Sequence, residues 1–227
     1  TRSNRKIGLG VMGWADVLLA WEIPYDSDEA IKTAEKVMAR ISDTARKASE
    51  ALAHERGAFE GFQDSLWAKL GHKARRNATV TTIAPTGTIS IIANVSSGIE
   101  PVFSLAYQRV ALDGEKMVFV HPALRKELQR HKVRSRKVLK KILDTGSVAR
   151  VQELPASSRK TLKTAPEISP VFHVRMQAAF QKHTENAVSK TINLANDARV
   201  SDVKKVYEQA FADGGKGITV FRDASKP

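Results

Sequence analysis

The 227-residue chain contains no cysteine. Disulfides, thiolate metal sites and cysteine catalysis within it are therefore excluded. Long apolar runs are missing too: no stretch reaches the roughly 18 to 20 residues that a membrane-spanning helix needs. The chain opens TRSNRK, without an initiator Met and without the apolar core of a signal peptide after it. These absences lead us to expect a piece of a longer cytoplasmic protein with no membrane partner. The six histidines are scattered and no H-E-x-x-H is present, so no metal site is expected. Neither the Walker pattern G-x-x-x-x-G-K-[ST] nor a G-x-S-x-G nucleophile elbow occurs. No repeat with a period of 20 to 50 residues is visible, which argues against a solenoid.

Acids are scarce relative to bases. The formal net charge is +13, from 37 Lys and Arg against 24 Asp and Glu. Most of that excess is local: between His121 and Lys163 stand thirteen Lys and Arg and only three acids. The segment carries Lys132, Arg134, Arg136, Lys137, Lys140 and Lys141. A solvated helix face is the plain reading. A nucleic-acid surface is the alternative, although no aromatics are interleaved for base stacking. Contact with an acidic partner segment is a third reading.

What remains is ordinary globular composition, 42% hydrophobic, enough for one large domain or two small ones. Residues 8 to 21 (GLGVMGWADVLLAW) read as a buried helix, broken by Ile23-Pro24. Ser27 or a neighbouring Asp then caps a long helix. Its stripe of Ala34, Val37, Met38, Ile41, Ala45, Ala48 and Leu52 ends near Gly57. Residues 79 to 84 (TVTTIA) read as a short buried strand. A helix is expected over Thr88 to Val95, and strands over 100 to 110 and 116 to 120. Pro122 to Leu143 reads as one basic helix, and 146 to 170 as connection. A helix over Val171 to Lys182 precedes a strand over Ala187 to Leu194. A last helix from Ser201 ends at Gly214-Gly215, before a strand at 217 to 221. Alternation of helices with β-branched strands argues for an α/β fold with parallel pairing.

Two glycine-containing segments invite a ligand. Gly8-Leu9-Gly10-Val11-Met12-Gly13 fits the dinucleotide fingerprint G-x-G-x-x-G. That fingerprint needs a strand directly before it, and TRSNRKI is a poor strand. Glycines that let another element pack closely are the preferred reading. The second segment is TVTTIAPTGTIS, residues 79 to 90. A strand ending in a glycine-containing turn and leading into a helix aims several backbone N–H groups one way, which favours an anion. Gly87 lets a phosphate approach without a Cβ in the way, and Thr86, Thr88 and Ser90 add hydroxyls. An ordinary turn with Thr as helix cap is the alternative. Glu100 stands near this turn, and His173 with Arg175 flanks a helix start. For all three a structural role is the plainer reading.

The run RNATVTTIAPTGTISIIANVSSGIEPVFSLAYQRV, residues 76 to 110, resembles the class II, adenosylcobalamin-dependent ribonucleotide reductases. The resemblance continues through residues 168 to 198 and 214 to 227, and through RKIGLGVMGWADVLLAWEIPYDSDEA, residues 5 to 30. It implies part of a ten-stranded α/β barrel, with parallel strands and crossover helices. Residues 1 to 227 would form the C-terminal part of that barrel, with a basic variable insertion at about 121 to 165. It implies ribonucleotide reduction by a thiyl-radical mechanism, with Pro85, Thr86, Gly87, Thr88 and Ile89 holding the substrate phosphates. The implied cofactor is adenosylcobalamin, with no contacting residue assigned in this chain. The implied partners are a ribonucleotide, the earlier half of the barrel, and a second copy of the full-length protein as a homodimer. The family's N-x-C-x-E motif is absent, as is every cysteine. The chain alone is therefore expected to be inactive. A basic nucleic-acid-binding module, or a split paralogue needing a partner chain, stands as the alternative.

Overall fold

A computed structural model describes residues 2–110, 114 and 116–225. Helix α1 covers Trp14–Ala20 and α2 covers Asp28–Arg56. The Ser27 hydroxyl accepts from Ala30 N at 3.1 Å and caps α2, with Asp28 and Glu29 in the first turn. Both features stabilise the free amides of a helix start. Gly57, at φ 78°, ends the helix. The expected stripe holds for Ala34 and Met38, which are fully buried, but Leu52 is exposed. In the last turns Ser49 and Ala53 face inward instead. There the neighbour is polar: Ser49 Oγ donates to the Asn77 side-chain Oδ1 and accepts from Asn77 N.

Helix α3 is the single turn Leu66–Lys69, and α4 covers Gly87–Ala93. Strands β1 (Ala106–Val110) and β2 (Lys116–Val120) pair antiparallel. Parallel pairing was expected here. The short connection between them is too brief for the crossover that parallel strands require. The basic stretch forms two helices rather than one, α5 (Pro122–Arg130) and α6 (Arg136–Thr145). Lys132 breaks them apart at φ 55°, as Val133 N folds back onto Leu128 O. Leu124, Val138 and Ile142 point into a core with Val102 and Leu105. Arg136, Lys137, Lys140 and Lys141 are exposed. The connection at 146 to 170 holds α7 (Ala156–Thr161) and a 3-10 turn at Ala165–Glu167.

Helix α8 (Pro170–Gln181) lies against α2 and buries Met176, Ala179 and Phe180 with Trp14, Ala34 and Met38. Strands β3 (Thr191–Leu194) and β4 (Thr219–Arg222) pair in parallel, joined across α9 (Val200–Ala212). This β-α-β unit has the expected parallel form. Val174 of α8 closes its core with Ile192, Val206 and Ala210.

Residues 8 to 13 are not helical; α1 begins only at Trp14. Residues 7 to 10 instead run extended beside 79 to 82, with a parallel bridge between Leu9 and Thr81. Here the glycines serve close approach. A Cβ on Gly8 would lie 2.4 Å from Thr82 Cγ2, and one on Gly10 2.3 Å from Thr82 O. The expected strand at 79 to 84 is reduced to two bridges, the second joining Ile83 to Val188 in parallel. Three short stretches (7–10, 79–83 and 187–189) thus lie side by side. Among the described residues the regular strands form two two-stranded sheets, an α/β arrangement without a closed barrel. No helix among them is long and apolar enough to cross a membrane.

Candidate functional site

The 79–83 stretch delivers the chain to the turn. Pro85 is exposed, Thr86 is half-buried, and Gly87, Thr88 and Ile89 are exposed on the first turn of α4. The first hydrogen bond of that helix runs from Ser90 N to Thr86 O at 2.9 Å. The amides of Gly87, Thr88 and Ile89 precede it and have no acceptor within the helix. Since α4 has only seven residues, its dipole is small and the individual N–H groups matter more.

Gly87 is informative. Its φ is not in the left-handed region, so the backbone does not call for glycine. A Cβ there would meet nothing within 4 Å, so packing does not call for it either. What a side chain would obstruct is approach to the turn from outside.

The hydroxyls divide. Thr86 Oγ1 accepts from Gly98 N at 2.7 Å and lies 3.4 Å from Ser97 Oγ. Its own proton is thus directed at best into a long contact. Thr88 is exposed. Ser90, expected among the donors, is buried and donates to Gly87 O at 3.2 Å, which removes it from the set.

Behind the turn runs a loop, residues 95 to 100. Gly98 sits at φ 49° within it. Ser96 N donates to Asp16 Oδ2 at 2.7 Å, and His121 Nε2 lies 3.2 Å from Asp16 Oδ1. Burial alone would push the Asp16 carboxyl up; the bonds from His121 and Ser96 prevail and bring it down to about 2. At the other end of the loop, Glu100 Oε1 accepts from Thr191 N at 2.6 Å. Glu100 Oε2 accepts from the fully buried Lys190 Nζ at 2.5 Å. Lys190 also donates to His173 Nδ1 at 2.8 Å, and His173 Nε2 donates to Ala165 O at 3.1 Å. Burial, reinforced by the Lys190 charge, lowers His173 to about 3. The plain structural reading of His173 therefore holds. Arg175 is separate, paired with Asp28 at 2.6 Å on the surface.

Helix α4 and the loop border a cavity of about 900 Å³, lined by Ser90, Ile91, Ser97, Glu100, Phe103 and Asn193 among others; residues 85 to 89 stand outside its lining. Sequence reasoning passed over Lys190 and the Ser96–Gly98 segment. The run Ser96-Ser97-Gly98 reads as a helix stop, and only the fold brings it against Thr86. Among the described residues no cluster of His, Asp and Glu could hold a metal ion.

Comparison with known proteins shows what the chain as a whole is similar to. The family model described as the ribonucleotide reductase barrel domain matches residues 1–75 and 68–221. A vitamin B12-dependent ribonucleoside-diphosphate reductase of Thermoplasma acidophilum is 48% identical over 226 residues. That alignment covers 100% of this chain and 29% of the relative. The protein of the same name from Mycobacterium tuberculosis (strain CDC 1551 / Oshkosh) is 47% identical, covering 99% of this chain and 32% of the relative. The chain thus spans about a third of the length of these curated relatives. Among solved structures, the class Id ribonucleotide reductase alpha subunit of Actinobacillus ureae superposes with a TM-score of 0.84 at 27% identity. It covers 98% of this chain and 40% of that one. Matched by the family model along nearly its whole length, the chain belongs to the ribonucleotide reductase barrel-domain family.

Proposed function

We propose that the protein containing this chain reduces ribonucleotides to deoxyribonucleotides, and that Pro85, Thr86, Gly87, Thr88 and Ile89 hold the substrate phosphates. Gly87 is the observation that carries this reading: neither φ nor packing needs glycine there, and the open space above it admits a ligand. The amides of Gly87, Thr88 and Ile89, without acceptors in the helix, and the Thr86 and Thr88 hydroxyls suit phosphate oxygens, which accept charge-assisted hydrogen bonds. Pro85 shapes the entry to the turn, and Ile89 lies on the first turn of α4 with its amide still free.

The relatives' names supply the cofactor, a cobalamin. When bound, it supplies the radical that starts the chemistry. No residue of this chain is assigned a contact with it. The chain's own part is to grip and orient; with no cysteine it carries neither the radical site nor the reducing pair. We place residues 1 to 227 in the later part of a ten-stranded barrel, completed by the protein's preceding half. The full-length protein is proposed as a cytoplasmic homodimer.

The test is Gly87→Val in the full-length protein. The added Cβ and methyls should raise the Michaelis constant for the ribonucleotide about tenfold, equivalent to the loss of roughly 1.4 kcal/mol of binding. The turnover number should change far less. An unchanged Michaelis constant would sink the site assignment.

A further inference from the structure

Lys190 is a lysine with no exposed side-chain surface, an uncommon place for a charge. Its three ammonium protons meet three acceptors: Glu100 Oε2 at 2.5 Å, Thr191 O at 2.7 Å and His173 Nδ1 at 2.8 Å. Burial pushes its pKa down, and Glu100 pulls it back. Three donors matched to three acceptors fit the charged form. Glu100 is in turn held by two successive residues, since Thr191 N donates to its other oxygen. A buried ion pair adds little net stability over an apolar pair of equal volume. What it adds is direction.

That direction leads to the turn. Glu100 N donates to Ser97 O at 2.9 Å, closing the loop on itself. Within this closed segment Gly98 N donates to Thr86 Oγ1. The same part of the chain also backs the turn from its other side: Ile83 N donates to Ala187 O, and Ser189 N to Ile83 O. Residues 187 to 191 are therefore the common support of the stretch entering the turn and of the loop behind it.

We propose that Lys190 is a positioning residue for the substrate-phosphate cradle: through Glu100 it fixes the 95–100 loop, whose Gly98 N–H orients the Thr86 hydroxyl so that its proton points to a phosphate oxygen. This rests on the phosphate reading of the turn. Lys190 touches no substrate in this scheme and acts through two intermediaries.

The experiment compares two ligands on the full-length protein, cytidine diphosphate and bare cytidine, by calorimetry. Lys190→Met and Glu100→Gln each break the clamp; the second keeps the side chain's volume and an acceptor for Thr191 N. Each should weaken the diphosphate about tenfold while leaving cytidine within about twofold, a change in ratio worth roughly 1.4 kcal/mol. A purely structural role would lower the melting temperature and leave the ratio of the two affinities unchanged. That result in the folded variants, or loss of folding in both, overturns the proposal. Gly87→Val separates the two layers. If it spares diphosphate binding, the phosphate reading itself fails. If it weakens diphosphate binding but neither clamp variant shifts the ratio, the clamp alone fails.

Discussion

His173 and Asp16 both titrate away from their usual ranges, and for different reasons. His173 is buried beside the Lys190 ammonium and stays neutral, its pKa lowered from 6.5 to about 3. A pKa that is lower in the fold than in the unfolded chain means the unfolded chain binds the extra proton first. The contribution is therefore complete above pH 6.5 and is lost as the pH falls towards 3. Unfolding free energy in the full-length protein should decline through that window. In His173→Gln the slope should flatten by about one proton, measured by urea titration at several pH values. An unaltered slope would show that His173 is not the group responsible. Asp16 has the same sign in a lower window, since its carboxyl falls from 3.8 to about 2. At this scale the sequence was partly readable. PTGT and its hydroxyls stand in one run, but Ser90 is buried only in the fold, and Glu100 pairs with Lys190 ninety residues away.

Helix boundaries were most legible where one residue type decides them. Ser27 at the start of α2 and Gly57 at its end follow from local chemistry alone. Ser27→Ala should lower unfolding free energy by about 1 kcal/mol through the lost bond to Ala30 N. The urea midpoint of the full-length protein measures this; no shift would mean that another group satisfies the amide. Boundaries set by packing were not legible. Residues 8 to 13 are apolar enough for a helix, yet Gly8 and Gly10 are held extended because residues 79 to 82 lie alongside. Likewise α5 and α6 share a helical pattern, and Lys132 separates them so that Leu124, Val138 and Ile142 reach one core. Pairing direction in β1 and β2 was set by the brevity of their connection, a feature visible in the sequence but outweighed there by the α/β alternation.

At the scale of the molecule, apolar side chains gather on faces that none of the described residues covers. Ile91 and Ile92 of α4 are 70% and 80% exposed, Phe103 is 68% exposed, and Val200 and Phe211 stand out from α9. Patches of this kind mark surfaces made for contact. Residues 1 to 227 produced alone should self-associate and bind an apolar dye, and co-production with the protein's preceding segment should suppress both. Light scattering would check this; a clean monomer without dye binding would contradict it. The support of the turn has a further consequence, in time. Thr82 Oγ1 donates to Ala187 O across 105 residues. At about 5 to 20 residues per second on the ribosome, the turn emerges roughly 5 to 20 s before its backing strand exists. Through that interval the isoleucines of α4 and the open edge at Thr81 and Ile83 are exposed together on a nascent chain. Synthesis speed between residues 83 and 188 thus sets how long this stretch waits without its partner strand.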